Sequence, residues 1–417
     1  MIDRYSFPQK RAWQGLFALY LFLILYLVRV SQVSHYLLGF YRAQALTIGL
    51  TAVAVIVFFA VQRKHWRAIV CNPRMVLLAV FCAAALLPMV FKKDYTMMYF
   101  SILFSMVLGL FFSYFLSCRR AAKYYVLILL VLAVWSLLCI GLLRPLADRG
   151  LLPAPVFSNE YGGKFYNFLL CFSPITFARE RNFGIFREPG VYQFFLFLAL
   201  YLTCYQVEWE KEAHMWIAAA ILSITLLTTF ATGGIAAAAL FLLAVYFDKK
   251  VYKTKPGKIF TLAALLLLAV FAAYLLIAKP SLYTYFKLML LKLQPGNSSS
   301  EDRLESIRFN LYCIQWSPFV GRTVSYILET VTHNTSSSTI LIGILGVLGG
   351  SVNIVAWLFL IFRGKGSTPA KIVSLVTLAV TINTPNLASD PFLWIFPVMA
   401  MTEGILEFLP KIAKKQA

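Results

Sequence analysis

Long apolar runs, many of about 18 residues or more, follow one another along nearly the whole chain and are separated by short polar segments. Each of the longer runs can cross ~30 Å of hydrocarbon as a helix. Twelve spans can be drawn, at approximately 12–30, 43–62, 75–91, 96–116, 124–143, 190–206, 215–230, 233–247, 259–278, 336–361, 371–383 and 391–408. The pair at 215–230 and 233–247 is short and joined only by Ala231-Thr232-Gly233-Gly234. It reads as two tilted spans or as a broken re-entrant pair, which is tolerated where protein buries it. The pattern predicts an all-α polytopic membrane protein, a single membrane domain over 1–417. Barrel strands would instead alternate polar and apolar in segments of about ten residues. The first apolar run, from about Trp13 to Val30, is too long for a signal-peptide core and lacks a small-residue cleavage pattern.

Charge turns this pattern into a topology. Only 13% of the 417 residues are charged and 60% are apolar, against about 25% charged in a soluble domain. The net charge of +21 would point to nucleic acid in a soluble protein. Here most of it follows the positive-inside rule. With twelve spans, 22 of the 38 lysines and arginines fall on the side holding both termini, and only Arg29, Arg42, Lys92 and Lys93 fall in short loops opposite. Both termini are therefore expected in the cytoplasm, and nucleic acid is not an expected partner.

Two long segments remain on the outer side, 144–189 and 279–335, each with six basic residues. Long loops are exempt from the topology rule, so these charges need another reason. The first has proline and glycine punctuation and no clear period. The second opens with an amphipathic stretch, Tyr283 to Leu293, suited to a membrane surface, and continues through Pro295-Gly-Asn-Ser-Ser-Ser300. Glu301 to Trp316 then reads as a helix with Ser300 as its N-cap. Seven cysteines are scattered, without a CxxC pair or a metal-binding Cys/His spacing. Cys171 and Cys313 alone fall in the large outer loops, and a disulfide between them is conceivable.

Three constellations could carry chemistry. Arg179, Arg181, Arg187 and Glu188 crowd the run Arg181-Asn-Phe-Gly-Ile-Phe-Arg-Glu-Pro-Gly190 and its approach. Pro189 suits the first position of a helix, which places Glu188 at the positive end of that helix. Arginine forks match phosphate oxygens, and a carboxylate beside them can position or deprotonate a hydroxyl. The plainer reading is a salt-bridged loop that anchors a helix end. His333-Asn334, before Thr335-Ser-Ser-Ser-Thr339 and Gly343-Ile-Leu-Gly346, supplies the one histidine in either long outer segment, a base near neutral pH or an ordinary interfacial side chain. Arg303 and Arg308 on the Glu301–Trp316 helix could bind an anion or simply decorate a solvated surface.

The chain has no Walker-type loop, no Asp-x-Asp pair and no Gly-x-Ser-x-Gly elbow. Chemistry is therefore expected outside the cytoplasm, without nucleotide, metal or other cofactor. A substrate available there that carries negative charge, a lipid tail and its own leaving group is a polyprenyl-pyrophosphate-linked sugar.

The run Arg181 to Gly190 resembles the Arg-x-x-Gly-x-Phe-x-Glu-Pro segment of Wzy-type bacterial O-antigen and exopolysaccharide polymerases. Leu227-Thr-Thr-Phe-Ala-Thr-Gly-Gly234 resembles their next apolar signature, with Ala231-Thr232 where the family often has Ser-Arg. Arg303 through Gly321 resembles their Arg, tryptophan and Pro-x-x-Gly pattern. His333-Asn334 resembles the His-Asn that ends the large periplasmic loop in polymerases and O-antigen ligases, although eight residues rather than the nine of the ligase form precede Gly343. Arg179 and Gly190 fit an Arg-x10-Gly spacing, without a second copy in the other loop.

The resemblance covers roughly 175 to 350 and implies a GT-C-like, metal-independent glycosyltransferase of the bacterial inner membrane. It would transfer a glycan from undecaprenyl pyrophosphate to a hydroxyl of a second lipid-linked repeat unit, building O-antigen, capsule or exopolysaccharide. Membrane lipids and a chain-length regulator are the further partners it implies. Catalysis is expected from His333 and Glu188, and pyrophosphate binding from Arg181, Arg187 and Arg303, with Arg179 and Arg308 in reserve. An O-antigen ligase and a flippase for the lipid-linked oligosaccharide are the rival expectations.

Overall fold

In a computed structural model, the described residues are 11–27, 30–32, 34, 40–61, 73–158, 163–176, 178–253, 298–331 and 334–416. His333, the apolar run at 259–278 and the amphipathic stretch 283–293 lie outside them.

Helices dominate: α1 (Arg11–Leu27), α2 (Phe40–Val61), α3 (Pro73–Lys92), α4 (Met97–Phe115), α5 (Cys118–Leu138), a π-turn (Cys139–Leu143) leading into the short α6 (Arg144–Asp148), α7 (Pro189–Tyr205), α8 (Glu212–Thr228), α9 (Thr232–Asp248), α10 (Ser298–Trp316), α11 (Val324–Thr330), α12 (Ser337–Phe362), α13 (Thr368–Ile382) and α14 (Ile395–Gln416). Among the described residues, five helical stretches are long and apolar enough to cross a membrane: Pro73–Lys92, Met97–Phe115, Cys118–Asp148, Ser337–Phe362 and Pro391–Phe408. Shorter apolar helices occupy the other expected spans among the described residues.

Four expectations are corrected. The fold is not purely α, because the first long segment forms a small antiparallel sheet in the order β1 (Val156–Ser158), β2 (Lys164–Asn167), β3 (Phe172–Pro174). Its strands are three or four residues long, too short to display a period of two. The fifth helix starts at Cys118 rather than near 124, because Ser117 caps it by accepting a hydrogen bond from Arg120 N. Arg119, Arg120 and Lys123 are therefore in its first turns rather than in a loop. Helix α10 begins at Ser298, so Ser300 lies in its first turn and is not its N-cap. The two cysteines of the long segments, Cys171 and Cys313, are both free and sit in different apolar clusters, so the conceivable disulfide between them is not formed.

Helix α7 is the central post. Gln193 and Thr203 apart, it is apolar all round, and every residue from Val191 to Tyr205 is buried, as expected for a helix enclosed on all sides. Tyr125 of α5 donates to the Phe195 carbonyl, Tyr201 donates to the Leu360 carbonyl of α12, and Phe392 packs edge-on against Phe195. Helix α3, in contrast, exposes Val76, Val80, Leu87, Val90 and Phe91. An apolar outer surface of this kind suits lipid, where water supplies no penalty for it.

Helix ends gather on two faces. On the upper face, Gln32 N donates to Ile185 O, Asp94 accepts from Val324 N, and Asn182 N donates to Thr228 O. The described parts of both long segments lie on this face. On the lower face, Glu403 accepts from Cys118 N, Arg363 forks onto Glu407 with bonds of 2.7 and 2.8 Å, and Asp248 accepts from Ser367 N. Glu208 there bridges Arg119 at 2.9 Å and Lys365 at 3.0 Å, which lowers its carboxyl pKa, chiefly through the Lys365 hydrogen bond. The stabilisation from this carboxylate is present above the ordinary carboxylate range and is lost as pH falls through its depressed value. Because the Glu208 side chain is 59% exposed, Glu208→Gln is expected to leave the thermal unfolding midpoint at neutral pH almost unmoved.

Helix α12 is broken at Gly346, where φ is +70°. The break frees backbone groups that the second long segment fills. Val347 N donates to Pro318 O at 2.7 Å, and Arg322 N donates to Gly343 O at 2.7 Å. The Lys92 ammonium donates to Ile344 O and Arg322 O. Such re-satisfaction is what permits an interrupted helix in a membrane.

Candidate functional site

The run from Arg181 to Gly190 is fixed residue by residue. Phe186 bridges to Ser31, and Arg187 N donates to Val30 O at 2.9 Å. Gly184 has φ +54°, and a Cβ there would come within 2.7 Å of the Tyr192 ring, so glycine is required. Asn182 is fully buried and serves as the clamp. Its amide donates to Ser136 of α5 and Thr228 of α8, each at 3.0 Å, and its side-chain oxygen accepts from Gly184 N. Arg181 donates from Nε to the Thr229 carbonyl at 3.0 Å.

The Arg187–Glu188 corner follows. Glu188 is the N-cap residue of α7, and its carbonyl accepts from Val191 N and Tyr192 N. Its carboxylate caps nothing and stands 57% exposed. Pro189 occupies the first helical position, where its missing N–H costs nothing. Arg187 Nε lies 3.3 Å from the Glu188 carboxylate, near enough for ionic attraction but not aligned as a hydrogen bond. Arg179 is differently placed. Its guanidinium bonds Asp148 at 3.0 Å, and Arg144 donates to its carbonyl. That pairing spends its charge within the loop.

The second long segment meets the same end of the bundle. On α10, Ser306 and Asn310 are buried and face the chain that enters α12. Asn310 and Asn334 exchange amide hydrogen bonds at 2.8 and 3.2 Å, and Asn310 also donates to Thr339. Arg303 lies about two turns before Asn310 on that face and is half-buried; burial lowers its guanidinium pKa, with Asp302 opposing. Arg308, five residues on, is exposed and lies off the face. Asn310→Leu would orphan the Asn334 amide and is expected to cost about 1–3 kcal/mol, read as a lower unfolding midpoint. An unchanged midpoint would show that this pair does not secure the Asn334 turn.

Asn383 and Thr384, at the end of α13, join the two halves. Ser336 donates to Asn383 Oδ1 at 2.7 Å, and Ser338 N donates to the same atom at 2.9 Å. Thr384 lies against both Gly190 of α7 and Gly233 of α9. The N-termini of α7, α9 and α12 thus lie around Asn383 and Thr384, with Arg181 and Arg187 before the first and Arg303 one turn before Ser306, which accepts from Thr335 N ahead of the third. Each N-terminus contributes about half a positive charge. The arrangement can take a multiply charged anion through backbone N–H groups and arginine forks. The exposed Glu188 carboxylate stands at the α7 N-terminus. Among the described residues, no group of three or more His, Cys, Asp or Glu side chains is assembled to hold a metal.

Asn182, Asn310, Asn383 and Thr384 were not anticipated from sequence. The only available signal was Asn383-Thr384-Pro385, a polar turn between two apolar runs. Neither the family models nor the curated proteins yield a match to this chain.

Proposed function

We propose that the chain is a membrane glycosyltransferase that polymerises undecaprenyl-pyrophosphate-linked oligosaccharide repeats on the outer face of a bacterial plasma membrane. The observation that carries the proposal is the meeting of the Arg187–Glu188 corner with the Ser336 end of the second long segment across Asn383 and Thr384. In this reading the upper face is extracytoplasmic, the chain crosses the membrane twelve times, and both termini are cytoplasmic. The excess of lysine and arginine on the opposite side supports that orientation.

The donor pyrophosphate binds Arg181, Arg187 and Arg303 and the three helix N-termini. The acceptor hydroxyl of a second lipid-linked repeat attacks the anomeric carbon of the donor sugar from the face opposite the pyrophosphate. The new glycosidic bond forms as the bond to pyrophosphate breaks, with inversion. The hydroxyl proton passes to His333 or Glu188, and the other orients the acceptor. Charge building on the departing pyrophosphate is met by cations already in place, which is where electrostatic catalysis has its largest effect. Arg179, held by Asp148, and the exposed Arg308 stand behind the other arginines.

Glycan length analysis of a deletion strain tests the reading. A polymerase mutant still caps lipid A cores with a single repeat. A strain that caps none points to a ligase and overturns the proposal.

A further inference from the structure

The first long segment leaves the bundle through the π-turn that follows α5. Cys139 opens that turn and is fully buried. Cys171, just before β3, is also fully buried. The two share one small apolar cluster with Ala147 and Phe168, flanked by Trp135 and Tyr166. The cluster is built rather than incidental. The Trp135 indole donates to the Phe168 carbonyl at 2.9 Å, and Phe168 N donates to the Cys171 carbonyl at 2.9 Å. Leu169 between them takes a left-handed conformation, φ +66°, which folds Cys171 back toward α5. The Cys139 thiol is its polar neighbour there. That contact, ahead of burial, pushes the Cys171 thiol well above its ordinary pKa. The other described cysteines, Cys82, Cys118, Cys204 and Cys313, lie outside this cluster.

We propose that Cys139 and Cys171 are joined by a disulfide in the mature protein, stapling the sheet-bearing segment to the end of α5. The inference rests on the orientation given above, which places this segment in an oxidising compartment. Each thiol loses its proton, one S–S bond forms, and two electrons pass to a disulfide-bearing thiol oxidase of that compartment, which leaves as a dithiol. Both thiols are buried in the packed state, so an oxidant reaches them during local openings of the segment, in the membrane as in purified protein. The staple would hold the loop that presents Arg181, Arg187 and Glu188.

The experiment uses full-length protein in native membranes. Free thiols are alkylated in denaturant without reductant, and the protein is then digested with trypsin. Mass spectrometry is expected to find the Cys139 and Cys171 peptides linked, about 2 Da lighter than their sum, and both alkylated only after reduction. Alkylation of both before reduction overturns the proposal. Purified protein treated with oxidised glutathione then gives the reason. A bond formed only there means that the thiols are matched and the assigned orientation is wrong. No bond under either condition means that the geometry is wrong. A Cys171–Cys313 peptide would also overturn the proposal.

Discussion

Arg187→Ala is expected to reduce glycan elongation by roughly 10²-fold or more while leaving single-repeat product, the scale on which loss of one preorganised charge-stabilising group acts. The prediction follows from where the side chain sits. Its backbone is tied to Val30, so the guanidinium projects from a fixed point beside the α7 N-terminus. Its Nε makes no hydrogen bond, whereas Arg179 is committed to Asp148. Arg187→Lys keeps the charge but loses the planar fork, and is expected to recover only part of the rate. Arg179→Ala, by comparison, should affect loop stability more than elongation. Normal glycan length in Arg187→Ala would remove this residue from the mechanism. His333→Ala should match the Arg187→Ala phenotype if His333 is the base, and Glu188→Gln should match it if Glu188 is.

The second large effect concerns folding. Gly346→Ala is expected to destabilise the protein by about 2–5 kcal/mol, the combined cost of a left-handed alanine and of overpacking. Gly346 has φ +70°, and an added Cβ would collide with the Phe319 carbonyl and Val320 N. The inserted Pro318–Arg322 segment cannot retreat without losing its bonds to Gly343 and Val347. The collapse should therefore spread to α10 and the Asn310–Asn334 pair. Gly49→Ala is the control, because that glycine has an ordinary φ and nothing near its added Cβ. Thermal unfolding in detergent should show a large drop for Gly346→Ala and almost none for Gly49→Ala. Equal midpoints would mean that the break in α12 is not filled as described.

These effects differ in how far they could be read from sequence. Apolar runs located most helices because hydrophobic length alone selects a span. The boundary at Ser117 was missed because a single capping hydroxyl decides it, and basic residues in a first helical turn look like a loop. The sheet at 156–174 was missed because its strands are too short to reveal alternation. The Arg181–Gly190 run stood out because charge is scarce in this chain. What sequence could not supply was the partner of that run. Asn182, Asn310 and Asn383 are unremarkable residues that matter only because burial obliges each amide to find specific bonds. Likewise, a conceivable Cys171–Cys313 bridge came from counting cysteines in loops, whereas the fold sets Cys171 beside Cys139 at a helix end.

The most direct measurement is reconstitution of the purified protein in vesicles with undecaprenyl-pyrophosphate-linked repeats and no nucleotide. A ladder of longer glycans with release of undecaprenyl pyrophosphate is expected, lost in Arg187→Ala. Repeats that move between leaflets while their length stays fixed would contradict it.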